Sequence, residues 1–167
     1  MRYFEEFTDF LKKHDIEHPK GCSLKEISEF ETDLGHELPE AYKEYLLLMG
    51  KDYDGVMVGT NCFLTDVEDN NECLPELLEE NELREFKLPE KFLTFFCHQG
   101  YMVAWFSLQD QSDDPLCYYF FEGTTEVPQE FGTFSEFMSK DILDNARLFV
   151  ANRRYKKLHR KWWQFWK

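Results

Sequence analysis

The stretch from Ser23 to Gly50 constrains this chain more than any other, because it reads as two short amphipathic helices joined by a Gly–Leu–Pro elbow. Ser23 and Glu26 match Ser-x-x-Glu, a capping box in which each side chain bonds the other residue's backbone N–H. Leu24, Ile27, Phe30 or Glu31, and Leu34 then fall near one face. Gly35 supplies a left-handed exit. Pro39 suits the first position of the next helix, where its missing N–H costs nothing. Tyr42, Tyr45, Leu46 and Met49 repeat at helical spacing, and Gly50 closes the second helix. These residues specify a helix pair and leave its purpose open.

The order Ile27-x-x-Phe30-Glu31-x-x-Leu34-Gly35-x-x-Leu38-Pro39-x-x-Tyr42-Lys43-x-Tyr45-Leu46 resembles the opening motif of the SUKH superfamily. It departs from that motif at Met49-Gly50-Lys51, where the family more often reads Asn-Gly-Gly. The superfamily contains fungal cell-wall assembly regulators and bacterial immunity proteins that neutralise secreted polymorphic toxins. The resemblance covers roughly residues 24–139, its second half more loosely than its first.

A chain of 167 residues is long enough for one domain with a substantial core, and 17 Phe supply its volume. Tyr101–Phe106 and Leu116–Phe121 are among the longest apolar runs, far short of the roughly 20 residues that span a bilayer. The opening MRYFEEFTDF carries acids and no apolar signal core, so a cytoplasmic protein is expected. Cys22, Cys62, Cys73, Cys97 and Cys117 are odd in number and include no Cys-x-x-Cys, which argues for reduced, structural thiols.

The net charge of −14 is unevenly divided. Residues 145–167 hold eight of the 19 basic side chains and no acid, leaving the rest of the chain at −22. An acidic body of that kind repels nucleic acid and attracts basic proteins, although acidity also serves plain solubility.

Before the helix pair, Phe4, Phe7, Phe10 and Leu11 predict a first helix ending near His14, followed by a turn over residues 15–21. After it, Asp54-Gly55 signals a turn and Val56-Met57-Val58 a short strand. Thr65 and Glu68 read as a second capping box. From Asp66 to Glu85 nine acids face a single base, Arg84, while Leu74, Leu77, Leu78 and Leu83 give a modest apolar side. This predicts a surface helix with a dense negative face, breaking before Pro75. Phe92–Cys97 and Tyr101–Leu108 read as a β-hairpin, Leu116–Glu122 as a further strand, and Thr133 with Glu136 as the cap of a helix.

In the tail, Leu148, Ala151, Tyr155, Leu158, Trp162 and Phe165 keep a helical period among lysines and arginines. Such a helix either packs on the acidic body, always at high effective concentration, or lies on an anionic membrane or partner groove through residues 147–167.

His14, His18, His36, His98 and His159 form no metal-binding spacing, Cys97-His98 is a poor catalytic pair, and no glycine-rich phosphate loop is present. The expectation is therefore no catalytic, cofactor or metal site. Asp113-Asp114 reads equally as a binding loop or as an ordinary polar hairpin.

The expected fold is α+β: a curved, mainly antiparallel sheet flanked by helices, SUKH-like, with an extra C-terminal basic amphipathic helix. The expected organisation is a SUKH-like domain over 1–141 and a basic, Trp-rich helix over 142–167 packed on it. The resemblance implies an immunity protein that occludes a cognate toxin, a basic nuclease among the candidates, with no direct contact to nucleic acid. The alternative is a non-enzymatic regulatory scaffold held at a membrane by the tail. The acidity nominates Asp66, Glu68, Asp69, Glu72, Glu76, Glu79, Glu80, Asp113 and Asp114 as the residues that meet the partner.

Overall fold

The computed structural model describes residues 2–14, 20–51 and 56–164, with side chains through Asn152. The Asp54-Gly55 turn, most of the 15–21 turn, and the side chains of Tyr155, Leu158, Trp162 and Phe165 lie outside the described residues.

The fold is α+β. Helices α1 (Glu5–His14), α2 (Leu24–Leu34) and α3 (Glu40–Met49) come first, then strand β1 (Thr60–Asn61), a 3-10 turn (Leu64–Asp66) and α4 (Val67–Glu80). Strands β2 (Phe92–His98), β3 (Met102–Ser107), β4 (Leu116–Phe121) and β5 (Gln129–Thr133) follow, and α5 runs from Phe134 to Gln164. The five strands form one antiparallel meander in chain order, as short connections favour.

Both faces of the sheet are covered. On one, α1, α2, α3 and α5 bury Phe7, Leu11, Ile27, Tyr42, Tyr45, Phe134 and Ile142 against Leu93, Phe95, Phe96, Ala104, Phe106 and Cys117. On the other, Leu74, Leu77 and Leu78 of α4 cover Cys97, Val103, Trp105 and Phe120. The register slips between Thr94 and Phe96, and this bulge lets the consecutive rings of Phe95 and Phe96 serve the same core. Phe134 is its hub: its ring meets Phe95 edge-on at 4.9 Å, Tyr42 at 5.3 Å, Phe106 at 5.7 Å and Tyr45 at 5.8 Å.

The local signals behave largely as read. Ser23 and Glu26 close their capping box, Gly35 ends α2 at φ 63°, and Thr133 with Glu136 caps α5 reciprocally. Several expectations change. Pro39 is the residue before α3 rather than its first member. Gly50 closes α3 in right-handed geometry; a Cβ there would lie 2.7 Å from both Cys22 Sγ and the Leu46 carbonyl, so the glycine permits close packing. Val56–Val58 is no strand: Met57 has φ 59°, and its carbonyl accepts from Thr60 N–H to close a turn that buries Val56 and Met57. Thr65 sits inside the 3-10 turn, and the cap is made by Asp66, whose carboxylate accepts from Phe63 N–H at 2.9 Å. Nor does α4 break before Pro75. The proline removes one bond to the carbonyl of Asn71, while buried Leu74, Leu77 and Leu78 on either side hold the helix to the sheet. The last strand, β5, carries only a weak β signal in Gln-Glu-Phe-Gly-Thr and exists through pairing with β4.

The tail begins as a direct continuation of α5. Ile142, Leu143 and Ala146 are buried and Phe149 packs at the core's margin. Leu148 is 64% exposed and Ala151 is exposed, so the first two members of the apolar stripe point away from the body.

Candidate functional site

The elbow between α2 and α3 shows what the motif residues do. Glu31 reaches from α2 to accept the Leu38 backbone N–H at 2.8 Å, fixing the turn that precedes Pro39. Its carboxylate also pairs with Lys43 Nζ at 3.2 Å, and Lys43 adds Glu37 at 3.2 Å and Glu40 at 3.1 Å. Partial burial pulls the ammonium's pKa down, but the hydrogen bonds it donates to Glu40, Glu31 and Glu37 outweigh that and hold the pKa above its ordinary value. On the other side of α3, Glu44 accepts three successive backbone N–H groups, from Arg2 at 2.7 Å, Tyr3 at 2.9 Å and Phe4 at 3.0 Å, and so caps the entry to α1. Tyr42 and Tyr45 are buried, and Tyr45 donates to the Cys62 carbonyl at 2.7 Å. Each of these motif positions has a structural duty.

A cleft of about 370 Å³ opens beside the elbow, lined by Glu37, Leu38, Glu40, Leu108, Gln111 and Asp113 among others. The β3–β4 loop forms its far wall, tied in by Ala41 N–H donating to the Asp113 carbonyl at 2.8 Å. The sequence offers no local signal for this cleft, because its walls are some seventy residues apart.

The nine nominated acids divide sharply by environment. Asp66 is half-buried and caps the 3-10 turn. Asp114 is half-buried too: its two oxygens accept from Ser135 N–H at 2.9 Å and Ser135 Oγ–H at 2.6 Å, so it holds the first turn of α5. Asp113 is exposed, 3.9 Å from Arg2. Glu79 pairs with Arg84 at 2.9 Å. Glu68, Asp69, Glu72, Glu76 and Glu80 are exposed and make no ion pair among the described residues. The two clusters do not converge. The acids of α4 lie over one face of the sheet, whereas the Asp113 loop joins the elbow of the helices that cover the other.

Glu68 and Asp69 suit the first turn of α4, but the carboxylates farther along oppose the helix that carries them. Glu68, Glu72, Glu76 and Glu80 are spaced by four, so each stands over the next, and such like-charge pairs cost roughly 0.2–0.5 kcal/mol apiece. Glu79 and Glu80 also occupy the last turn, where the helix dipole disfavours anions and where no basic residue sits. A helix shaped only by stability would not end this way. The stripe is about 18 Å long at 1.5 Å per residue, on a support fixed by three buried leucines.

Chemistry beyond binding finds little material. Among the described residues no group of three or more His, Cys, Asp or Glu side chains has a metal-binding arrangement. His98 Nδ1 meets Thr60 Oγ1 at 2.7 Å, and His36 Nδ1 meets its neighbour's carbonyl at 2.8 Å. Burial pushes the Cys62 thiol up to about 12 and raises Cys22 and Cys117 as well, the opposite of an activated nucleophile. No described helix is long and apolar enough to cross a membrane.

A family model described as SMI1 / KNR4 family (SUKH-1) matches residues 21–140. No curated protein and no solved structure matches the chain.

Proposed function

The chain belongs to the SMI1 / KNR4 family (SUKH-1), which includes toxin-immunity proteins and SMI1/KNR4 regulators, and from that premise we propose that it is an immunity protein that occludes a basic toxin. The exposed carboxylate stripe of α4 is the observation that carries this reading. It is rigidly supported, it lacks cations of its own, and its C-terminal part is placed where it weakens its own helix. A cationic partner surface removes that repulsion on docking, and the field of the acidic body speeds encounter. A nuclease fits, since a surface built to bind phosphates presents lysines and arginines. Glu68, Asp69, Glu72, Glu76 and Glu80 are the proposed contacts, with Asp113 on a separate, secondary surface. The domain over 1–141 carries the interaction.

Co-expression with a toxin encoded immediately upstream tests the reading. The intact chain is expected to protect the cell and to copurify with the toxin. Converting Glu68, Glu72, Glu76 and Glu80 together to Gln is expected to slow association by about tenfold or more at low salt and to abolish protection, with the thermal midpoint retained. Full protection by that variant would remove α4 from the interface, and killing despite the intact chain would remove the toxin partner altogether.

One observation favours a second reading. Leu148, 64% exposed, starts the stripe of the basic tail on the side away from the body, as an amphipathic segment does when it serves a membrane or a partner. A regulatory scaffold held at anionic lipid follows from it. Vesicle flotation would decide, comparing the intact chain with one ending at Asn152, which keeps the buried Ala146 and the packed Phe149. Equal flotation of the two would exclude the tail as an anchor.

A further inference from the structure

Two of the five thiols meet. Cys73 lies on α4 and Cys97 on β2, 24 residues apart in sequence, with their sulfurs 3.4 Å from each other. Cys97 is 5% exposed, whereas Cys73 is only partly covered, at the seam where α4 lies on the sheet. The other three cysteines, Cys22, Cys62 and Cys117, belong to the core on the opposite face.

We infer that Cys73 and Cys97 are an oxidisable pair, which a small-molecule disulfide converts into an internal bond stapling α4 to β2. The inference is independent of the partner proposed above. In the first step the Cys73 sulfur loses its proton to solvent and attacks one sulfur of the reagent. The reagent's S–S bond breaks, and one thiolate leaves and takes up a proton. In the second step the deprotonated Cys97 sulfur attacks Cys73, expelling the other half of the reagent as a thiol. Overall two protein S–H bonds give one S–S bond, the two protein thiols lose two electrons, and the reagent becomes two thiols. Exposure sets the order of events, because only Cys73 can be reached from outside, and proximity makes the second step intramolecular.

The pair is built to respond slowly. Burial, the adjacent Cys97 sulfur, and Glu76 and Glu80 on the same helix raise the Cys73 thiol above its ordinary value, so little thiolate exists at neutral pH. The staple therefore answers sustained oxidation. It would lock the helix that carries the acidic stripe.

The test treats the folded full-length chain with oxidised glutathione at mildly alkaline pH, followed by digestion without reduction and mass spectrometry. The expected product is a linked peptide pair containing Cys73 and Cys97, with Cys22, Cys62 and Cys117 still alkylatable only after unfolding. C97S is expected to stop at a glutathione adduct on Cys73, and C73S to remain unmodified at Cys97. The linked chain should melt roughly 10 °C higher than the reduced one, as expected for closing a loop of this length, and reductant should reverse the shift. A persistent Cys73 adduct in the unsubstituted chain would overturn the inference, as would Cys97 reacting first, linkage to another cysteine, or an unchanged melting point.

Discussion

Glu31 tests whether the elbow acts as scaffold or as contact surface, since one oxygen serves two partners of different kinds. It accepts the Leu38 N–H at 2.8 Å and pairs with Lys43 at 3.2 Å, while its side chain is 22% exposed. Leu38 is 3% exposed, so in Glu31→Ala its amide has neither the carboxylate nor ready access to water. Orphaning such a donor costs about 1–3 kcal/mol. Lys43 keeps Glu37 and Glu40, so the lost ion pair adds only a few tenths. A total of about 2 kcal/mol lowers the midpoint of a chain this size by roughly 4–8 °C. Glu31→Gln keeps an acceptor oxygen and loses only the charge, so it should cost about 0.5–1 kcal/mol. Urea and thermal unfolding of both variants, with and without Lys43→Met, separate the two roles. If Ala and Gln cost the same, the amide is not what Glu31 serves. If neither costs more than about 0.3 kcal/mol, the carboxylate is a surface group and the reasoning fails.

Phe134→Ala removes the ring at the centre of the core and should cost about 3–5 kcal/mol, with Phe134→Leu costing less than half of that, as read by chemical denaturation. Asp114→Ala uncaps α5 and should cost about 1–2 kcal/mol, whereas Asp113→Ala next door should stay within about 0.5 kcal/mol, because only its backbone carbonyl holds α3. Glu26 is held well below its ordinary 4.5, at about 2, first through its hydrogen bond from Lys51 and then through Ser23. A depressed carboxylate stabilises above its unfolded pKa, so this contribution is complete above about pH 4.5 and disappears as pH falls towards about 2. Denaturation midpoints followed over that window should fall less steeply in Glu26→Gln than in the parent chain.

What the sequence discloses follows the range of each interaction. Ser23 with Glu26 and Thr133 with Glu136 are capping pairs three residues apart, so their meaning is local and readable. The repeat of Tyr42, Tyr45, Leu46 and Met49 is likewise a property of one helix, and all four are buried. Glu44 over residues 2–4, Asp114 over Ser135, and Cys73 against Cys97 join positions 21 to 42 apart, and no spacing rule announces them. Val56-Met57-Val58 failed as a strand for a related reason: its apolar residues promise burial, but a left-handed Met57 achieves that burial in a turn. β5 shows the converse, since pairing with β4 recruits a segment whose own preference is weak.

The same distinction sorts the acids, which sequence can count but not assign. Glu26, Glu31, Glu44, Asp66, Asp114 and Glu136 each accept a backbone N–H, so each has a fixed geometric duty in the fold. Glu68, Asp69, Glu72, Glu76 and Glu80 accept none among the described residues, and several stand where electrostatics within α4 disfavour them. The first class and the C-terminal members of the second therefore respond to charge removal with opposite signs, while Glu68 and Asp69 in the first turn of α4 suit its dipole. Neutralising a member of the first set costs stability. Neutralising Glu76 or Glu80 should leave stability unchanged or raise it by a few tenths of a kcal/mol, because Glu76 stands between two like charges and Glu80 has one such neighbour and an unfavourable dipole contact. A residue that stabilises its own helix by being lost has no structural reason to be there, and that is why the α4 stripe, rather than the more recognisable elbow, is where a partner is to be sought.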